Sequence, residues 1–457
     1  MVRFRLVYLL KQGFLTMRDL ILKLFNQKEA AAGIELAKVY LKENPADTEM
    51  ANTLAGALYM QNKFDEALYI TKKLAELSPD DDGLKLNLAK CYHSLTNLGK
   101  AEKLVRELHE KNKGNKDYAL ELSAYLSMLG KYNEAEEILK TLELDNRVKF
   151  NLGWHEMRRK NFLKGFELRS FGSFENAWGS EYKLDISKEK RYKKGENIKD
   201  KTVLLLNEGG LGDEIIFARF AQIIKARGAR KIIMSCDKSL VDIFNRIPEI
   251  DLALPYDSAK KMDYNFYIPM MNVPNLLELN SPNENIKFPY IFPKKELVEK
   301  WEKKLNNIAK DKPKIGIRWA GNLEFEAGQF KTMDVSLLVK LNKYGQLFSL
   351  QKDARSGQLP HNFGVYDLKD ELTNWDETLA IISTLDLVVS SCTSIVHMAG
   401  AMNVPCLVLI SVIPYFTWAV QERTTDWYGS VKLFRQKKLG DWSAPFIELE
   451  NYVKDEM

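Results

Sequence analysis

No stretch of this sequence reaches the roughly 18 to 20 consecutive apolar residues that a membrane-spanning helix requires. Cysteine is scarce: Cys91, Cys236, Cys392 and Cys406 are the only four in 457 residues. They form no C-x-x-C pair and no zinc-ligand spacing, which excludes a disulfide scaffold or a zinc module and fits a reducing compartment. The start, MVRFRLVYLLKQGFLTM, is positively charged but has neither a sustained apolar run nor a small-residue cleavage site. That argues against a signal peptide and for a cytoplasmic chain. Charge of one sign is also lacking: 67 Lys and Arg face 62 Asp and Glu, for a net charge of +5. The basic clusters at 188–194 and 294–304 are broken by Glu or Tyr, so no continuous surface for nucleic acid is expected.

What is present begins with a repeat. Ala67, Ala101 and Ala135 are spaced 34 residues apart, as are Phe64, Leu98 and Tyr132, and Leu54, Leu88 and Leu122. A small residue follows each of those leucines: Ala55, Ala89 and Ser123. Pro45 and Pro79 extend the pattern one unit upstream, where Gly33 takes the small position. This period, with small residues where two helices cross, resembles the tetratricopeptide repeat. Units are expected at about 14–47, 48–81, 82–115 and 116–149. A degenerate fifth unit follows, with Gly153 and Gly165 in its small positions. Stacked helix pairs suit protein or glycan docking, and they can equally pair with a second copy. His93, His109 and His155 read as repeat-surface residues rather than ligands. Residues 171–201, with Phe171, Phe174, Trp178 and Tyr182 before a lysine-rich run, read as a connector.

From Thr202 the pattern alternates strand and helix. VLLLN at 203–207 and KIIMS at 231–235 are expected as buried strands around a glycine turn and a helix ending at Gly228. A second alternation runs through KIGIRWAGN at 314–322, GQLFSLQ at 345–351, VYDL at 365–368 and VKLFRQ at 431–436, with a short terminal helix. Two doubly wound sheets in tandem form a cleft at the carboxyl ends of their strands. Gly209, Gly210 and Gly212 do not match G-x-G-x-x-G, and no acidic residue ends the second strand, which disfavours a nicotinamide enzyme. The most informative block is DLVVSSCTSIVHMAGAMNVPCLVLI at 386–410, a buried strand, a hydroxyl-rich turn, a helix and another buried strand. Unpaired N–H groups and the dipole at that helix start favour phosphate. His397 follows Thr393 by four residues, which puts both on one helix face.

Residues 202–442 resemble the two-domain (GT-B) glycosyltransferases, in particular the heptosyltransferase-like branch and its relatives joined to tetratricopeptide repeats. The resemblance rests on GGLGD (209–213), IRWAGN (317–322), SLQK (349–352), TSIVHMAGAMNVP (393–405), Trp418, Trp427–Tyr428 and LFRQ…GDW (433–442). It implies an α + α/β chain with repeats at 1–170, a connector at 171–201, an acceptor-side Rossmann-like half at 202–295 and a nucleotide-sugar half at 312–457. Related heptosyltransferases carry an aspartate just before the threonine of the phosphate loop, and this chain carries Cys392.

Transfer from a nucleotide-sugar needs a base for the acceptor hydroxyl and positive charge for the departing diphosphate. Asp213, on the glycine turn, is the candidate base, and the resemblance points to the same residue; its other reading is a helix-capping carboxylate. Thr393, Ser394 and Lys331 are the expected diphosphate ligands. His397 can bond phosphate or ribose, or serve helix packing. Asn322 and Gln351 end strands at the cleft, Gly212 lies on the glycine turn, and the resemblance places the nucleotide base at Asp367 and Leu368. No metal or other cofactor is expected, since lysine and the helix dipole neutralise the charge and no D-x-D pair sits in a suitable loop. Three functions fit: a glycosyltransferase acting on a protein or glycan acceptor, a repeat scaffold with an inactive nucleotide-sugar module, and a sugar-nucleotide epimerase.

Overall fold

The computed structural model describes residues 16–26, 29–172, 186–321, 328–359, 364–412 and 415–456. Two compact units divide between Ile138 and Leu139.

The first unit is a stack of helix pairs. They are α1 (Met17–Asn26) with α2 (Ala30–Glu43), α3 (Thr48–Met60) with α4 (Phe64–Leu77), α5 (Asp82–Ser94) with α6 (Leu98–Lys111), and α7 (Lys116–Met128) with α8 (Tyr132–Lys140). Ala67, Ala101 and Ala135 are fully buried where helices cross. At Gly33 a Cβ would come within 2.6 Å of the Phe25 ring, so that crossing admits no side chain. The period also sets the helix ends. Asp47, Asp81 and Asn115 each accept a backbone N–H at the start of the next helix, which satisfies donors that the helix cannot. Asn62, Thr96 and Gly130 turn each pair with positive φ.

The fifth pair, α9 (Asn146–Arg158) and α10 (Phe162–Arg169), belongs to the second unit. Met157, Phe162 and Phe166 share one continuous core with both sheets that follow. The sequence pattern groups this pair with the repeats up to 170, whereas its contacts follow apolar packing onto the second unit. His155 is buried rather than on the repeat surface, edge-on to Trp154. Of the connector, 173–185, with Phe174, Trp178 and Tyr182, lies outside the described residues.

The first sheet holds β1 (Thr202–Leu206), β2 (Lys231–Cys236), β3 (Leu252–Pro255) and β4 (Phe266–Pro269), all parallel, in the order β3-β2-β1-β4. β1 is buried along its whole length, as a strand covered on both faces must be. The second sheet has β5 (Lys314–Arg318), β6 (Gln346–Ser349), β7 (Val365–Asp367), β8 (Leu387–Ser391), β9 (Cys406–Ile410), β10 (Thr424–Thr425) and β11 (Tyr428–Arg435). Its order is β10-β11-β9-β8-β5-β6-β7, with β10 alone antiparallel. The chain winds outward from β5 through β6 to β7, then from β8 through β9 to β11. The winding direction therefore reverses between β5 and β8, and in the first sheet between β1 and β4. Crevices at such switch points are where open α/β sheets bind ligands.

Arg219 helps lock the two sheets together. It is fully buried and donates to the carbonyls of Ile216 and Trp427, the amide oxygen of Asn283 and the hydroxyl of Tyr290. A buried guanidinium is tolerable when its donors are matched in this way. The terminal helix, Ser443–Glu456, runs 14 residues rather than being short, because Phe446, Leu449 and Val453 cover the second sheet.

Candidate active site

The glycine turn after β1 delivers Asp213. Gly209 has φ +76°, and a Cβ there would sit 2.4 Å from Asp213 Oδ2, so only glycine lets the turn fold back on the carboxylate. The turn opens α11 (Leu211–Ala218). Asp213 Oδ2 accepts the Gly210 N–H at 2.9 Å, which is the capping role. Oδ1 accepts the Tyr415 hydroxyl at 2.7 Å, a bond that crosses from one sheet's half to the other. Burial pushes the Asp213 carboxyl above the usual carboxylate range, although Tyr415, the Gly210 N–H, Lys331 and Arg169 all pull it down. Next to it, Glu214 is raised to about 7, mainly by burial, against hydrogen bonds from the Asp237 N–H and the Asn207 amide. Glu208, also buried, accepts the Met271 N–H, which ties the ends of β1 and β4 together.

The turn after β8 faces this carboxylate. Thr393 is the N-cap of α12 (Ser394–Ala401) but makes no side-chain cap; its hydroxyl lies 3.3 Å from that of Ser390. The N–H groups of Thr393, Ser394 and Ile395 have no acceptor among the described residues, leaving an open anion-type helix start. A Cβ on Gly212 would lie 3.1 Å from the His397 ring and 3.9 Å from Ser394 Cα, so the two glycine- and hydroxyl-rich turns abut. His397 itself is buried, stacked on Trp418 at 5.2 Å and 2°, with Nδ1 3.3 Å from the Tyr428 hydroxyl. Burial first, then Arg219 and Lys331, hold its pKa near 3, so it is neutral. The Trp418 indole N–H points at Cys392 Sγ, 3.1 Å away.

Lys331 lies with its ammonium 5.8 Å from the Tyr415 ring centre and acts electrostatically on both Asp213 and His397. The structure thus brings Asp213, Gly212, Lys331, Thr393, Ser394 and His397 to one place. Gln351 and Leu368 contribute otherwise. The Gln351 side chain is fully buried, accepting the Ala320 N–H and donating to Ala320 O and Asp353. Leu368 is buried, its N–H on Ser349 O and its carbonyl accepting the Glu371 and Leu372 N–H groups. Both therefore hold the strand ends in place. Asn322 lies outside the described residues.

Sequence reasoning passed over several residues. Tyr415 was missed because an aromatic after a proline carries no motif of its own. Arg318, Asp353 and Arg355 form a network beside the β5–β8 switch point. Arg318 donates to Ala320 O and Leu350 O, and Arg355 to Asp353 and to Gly321 O. Burial lowers Arg318 to about 10, still charged at neutral pH. The run I-R-W-A-G could have signalled it, since a cation ending a buried strand needs a reason. Among the described residues, no group of three or more His, Cys, Asp or Glu side chains is arranged to hold a metal ion, and no helix is long and apolar enough to cross a membrane.

Residues 58–120 match the tetratricopeptide repeat. The repeat stack of the first unit is thus a tetratricopeptide stack. Over 460 residues the chain is 22% identical to Protein FlbA of Caulobacter vibrioides, covering 91% of this chain and 74% of that one. Among solved structures it is similar to a glycosyl transferase family 9 protein of Veillonella parvula, with 10% identity and a TM-score of 0.45 over 57% of this chain and 97% of the other. It is similar also to the ADP-heptose LPS heptosyltransferase II of E. coli, with 13% identity and a TM-score of 0.42 over 56% of this chain and all (100%) of that one.

Proposed function

We propose that this chain is a glycosyltransferase that moves a sugar from a nucleotide-sugar to a hydroxyl of a protein or glycan acceptor, with Asp213 as base and without a metal. The observation that carries the reading is the placing of a half-buried carboxylate, on one turn, beside an open helix start on the turn that abuts it. Asp213 and Gly212 come from one sheet's half, Thr393 and Ser394 from the other, with Lys331 near both. In this reading the donor diphosphate lies on the N–H groups of Thr393, Ser394 and Ile395 and on Lys331. Asp213 takes the proton of the acceptor hydroxyl as its oxygen bonds to the anomeric carbon, and the bond to the nucleoside diphosphate breaks. Tyr415 keeps one lone pair of Oδ1 engaged and so orients the carboxylate. Neutral His397 walls the diphosphate side without adding charge. The tetratricopeptide stack is assigned to docking the acceptor.

The thiol of Cys392, engaged by Trp418, supports a second reading in which the module binds nucleotide-sugar without turnover. Release of nucleoside diphosphate from a panel of nucleotide-sugars by the purified protein separates the two. Turnover that disappears in Asp213→Asn supports transfer. Nucleotide-sugar binding with no release, with or without candidate acceptors, supports the scaffold.

A further inference from the structure

Arg169, the last residue of α10, holds its guanidinium between two aromatic rings, 4.7 Å from the centre of Phe150 and 4.1 Å from that of Phe416. The backbone makes this approach through Gly153, where a Cβ would meet Arg169 Cγ and its backbone N at 2.8 Å. Phe416 follows Tyr415, their ring centres 4.4 Å apart, and the Tyr415 hydroxyl is bonded to Asp213. A helix of the repeat type therefore carries a cation to the edge of the candidate site.

That cation is not hydrogen-bonded to an anion among the described residues, although the Asp213 carboxylate is near enough to act on it. Aromatic faces attract a guanidinium but supply no acceptor for its five N–H donors. Among the described residues the Arg169 side chain has no hydrogen bond or ion pair. The contrast with Arg219, whose donors meet four oxygen acceptors, and with Arg355 on Asp353 is direct. Arg169 is partly buried, and desolvation lowers it only to about 10, so it stays charged. Its electrostatic neighbours are Tyr415 and Asp213, whereas Lys331 acts on Asp213 and His397. Both cations thus act on Asp213, Lys331 from beside the Tyr415 ring and Arg169 from between the rings of Phe150 and Phe416.

We propose that Arg169 binds an oxyanion carried by the acceptor, a carboxylate or a phosphate, and so turns the acceptor hydroxyl toward Asp213. The proposal rests on the transferase reading above and deepens it by naming the acceptor class. A planar guanidinium set between rings matches the two oxygens of such a group.

The test uses the full chain saturated with a nucleoside diphosphate, titrated with glucuronate, glucose 6-phosphate and glucose as probes. Glucuronate and glucose 6-phosphate are expected to bind more tightly than glucose. Arg169→Gln should weaken the two anionic sugars about tenfold, and Arg169→Lys by less, as expected for loss of a charge-assisted pair. Affinity for the nucleoside diphosphate and the melting temperature should change little. Equal affinities for charged and neutral sugars in the wild type overturn the proposal, and so does unchanged binding in Arg169→Gln. A drop in nucleoside diphosphate affinity in Arg169→Gln, with saccharide binding unaltered, moves the anion to the donor and overturns it too. If the wild type binds no nucleoside diphosphate at all, it is the transferase reading that fails.

Discussion

Asp213 caps its own helix with one oxygen and meets Tyr415 with the other, so its two candidate roles are one geometry. Asp213→Asn keeps an acceptor for the Gly210 N–H and removes the basicity. Turnover should fall by roughly 10²- to 10⁴-fold, while titration calorimetry finds nucleoside diphosphate affinity nearly unchanged. Because burial raises this carboxyl, the acid limb of the rate profile should lie above the usual carboxylate range, with activity lost as pH falls through it. The Tyr415 bond opposes that rise, so Tyr415→Phe should move the acid limb to still higher pH. An unmoved limb would remove Tyr415 from the assignment. His397 makes a separate prediction about stability. Its folded pKa of about 3 lies below the unfolded value of 6.5. Between these values the unfolded chain binds the extra proton, so stability is present above about pH 6.5 and falls as pH falls. The slope from this group is about 1.4 kcal/mol per pH unit. Denaturant melts of His397→Gln at descending pH should lack that slope.

At the scale of elements, the periodic parts of the chain were legible and the turns only partly. The 34-residue spacing of Ala67, Ala101 and Ala135 announced buried crossings because a stacked pair leaves no room for a larger side chain there. The caps at Asp47, Asp81 and Asn115 repeat just as regularly, and Asp81→Ala should lower stability by about 1 kcal/mol in a thermal or urea melt. Buried strands declared themselves as apolar runs at β1, β8 and β9, whereas β3 and β4, each ending in a proline, and the two-residue β10 did not. The hydroxyl-rich turn before α12 was recognisable as a helix start from composition, since Ser and Thr are favoured where a helix begins. Thr393→Val combined with Lys331→Ala should weaken nucleoside diphosphate binding by roughly tenfold or more. Unchanged affinity in calorimetry would remove that helix start from the donor site. The partners of Gln351 were not legible: a polar residue at a strand end looks alike whatever it bonds, here Ala320 and Asp353.

For the whole molecule, the compact units ignore the repeat count. Removing residues up to 140 takes away the first unit and should leave a chain that still binds nucleoside diphosphate. Removing α9 and α10 as well, by starting at residue 186, strips Met157, Phe162 and Phe166 from the shared core and should leave it unfolded or aggregated, as circular dichroism and gel filtration would show. By itself the sequence determined the helix pairs, the alternating strands and the turns that carry Asp213 and Thr393, because period, apolar runs and glycine positions are local properties. Only the tertiary structure decided that Tyr415 reaches Asp213, that Arg169 arrives from a repeat-type helix, and that Arg219 joins the two sheets. Those contacts join residues up to some 250 positions apart. Their geometry depends on how the sheets wind and pack, which no local pattern encodes.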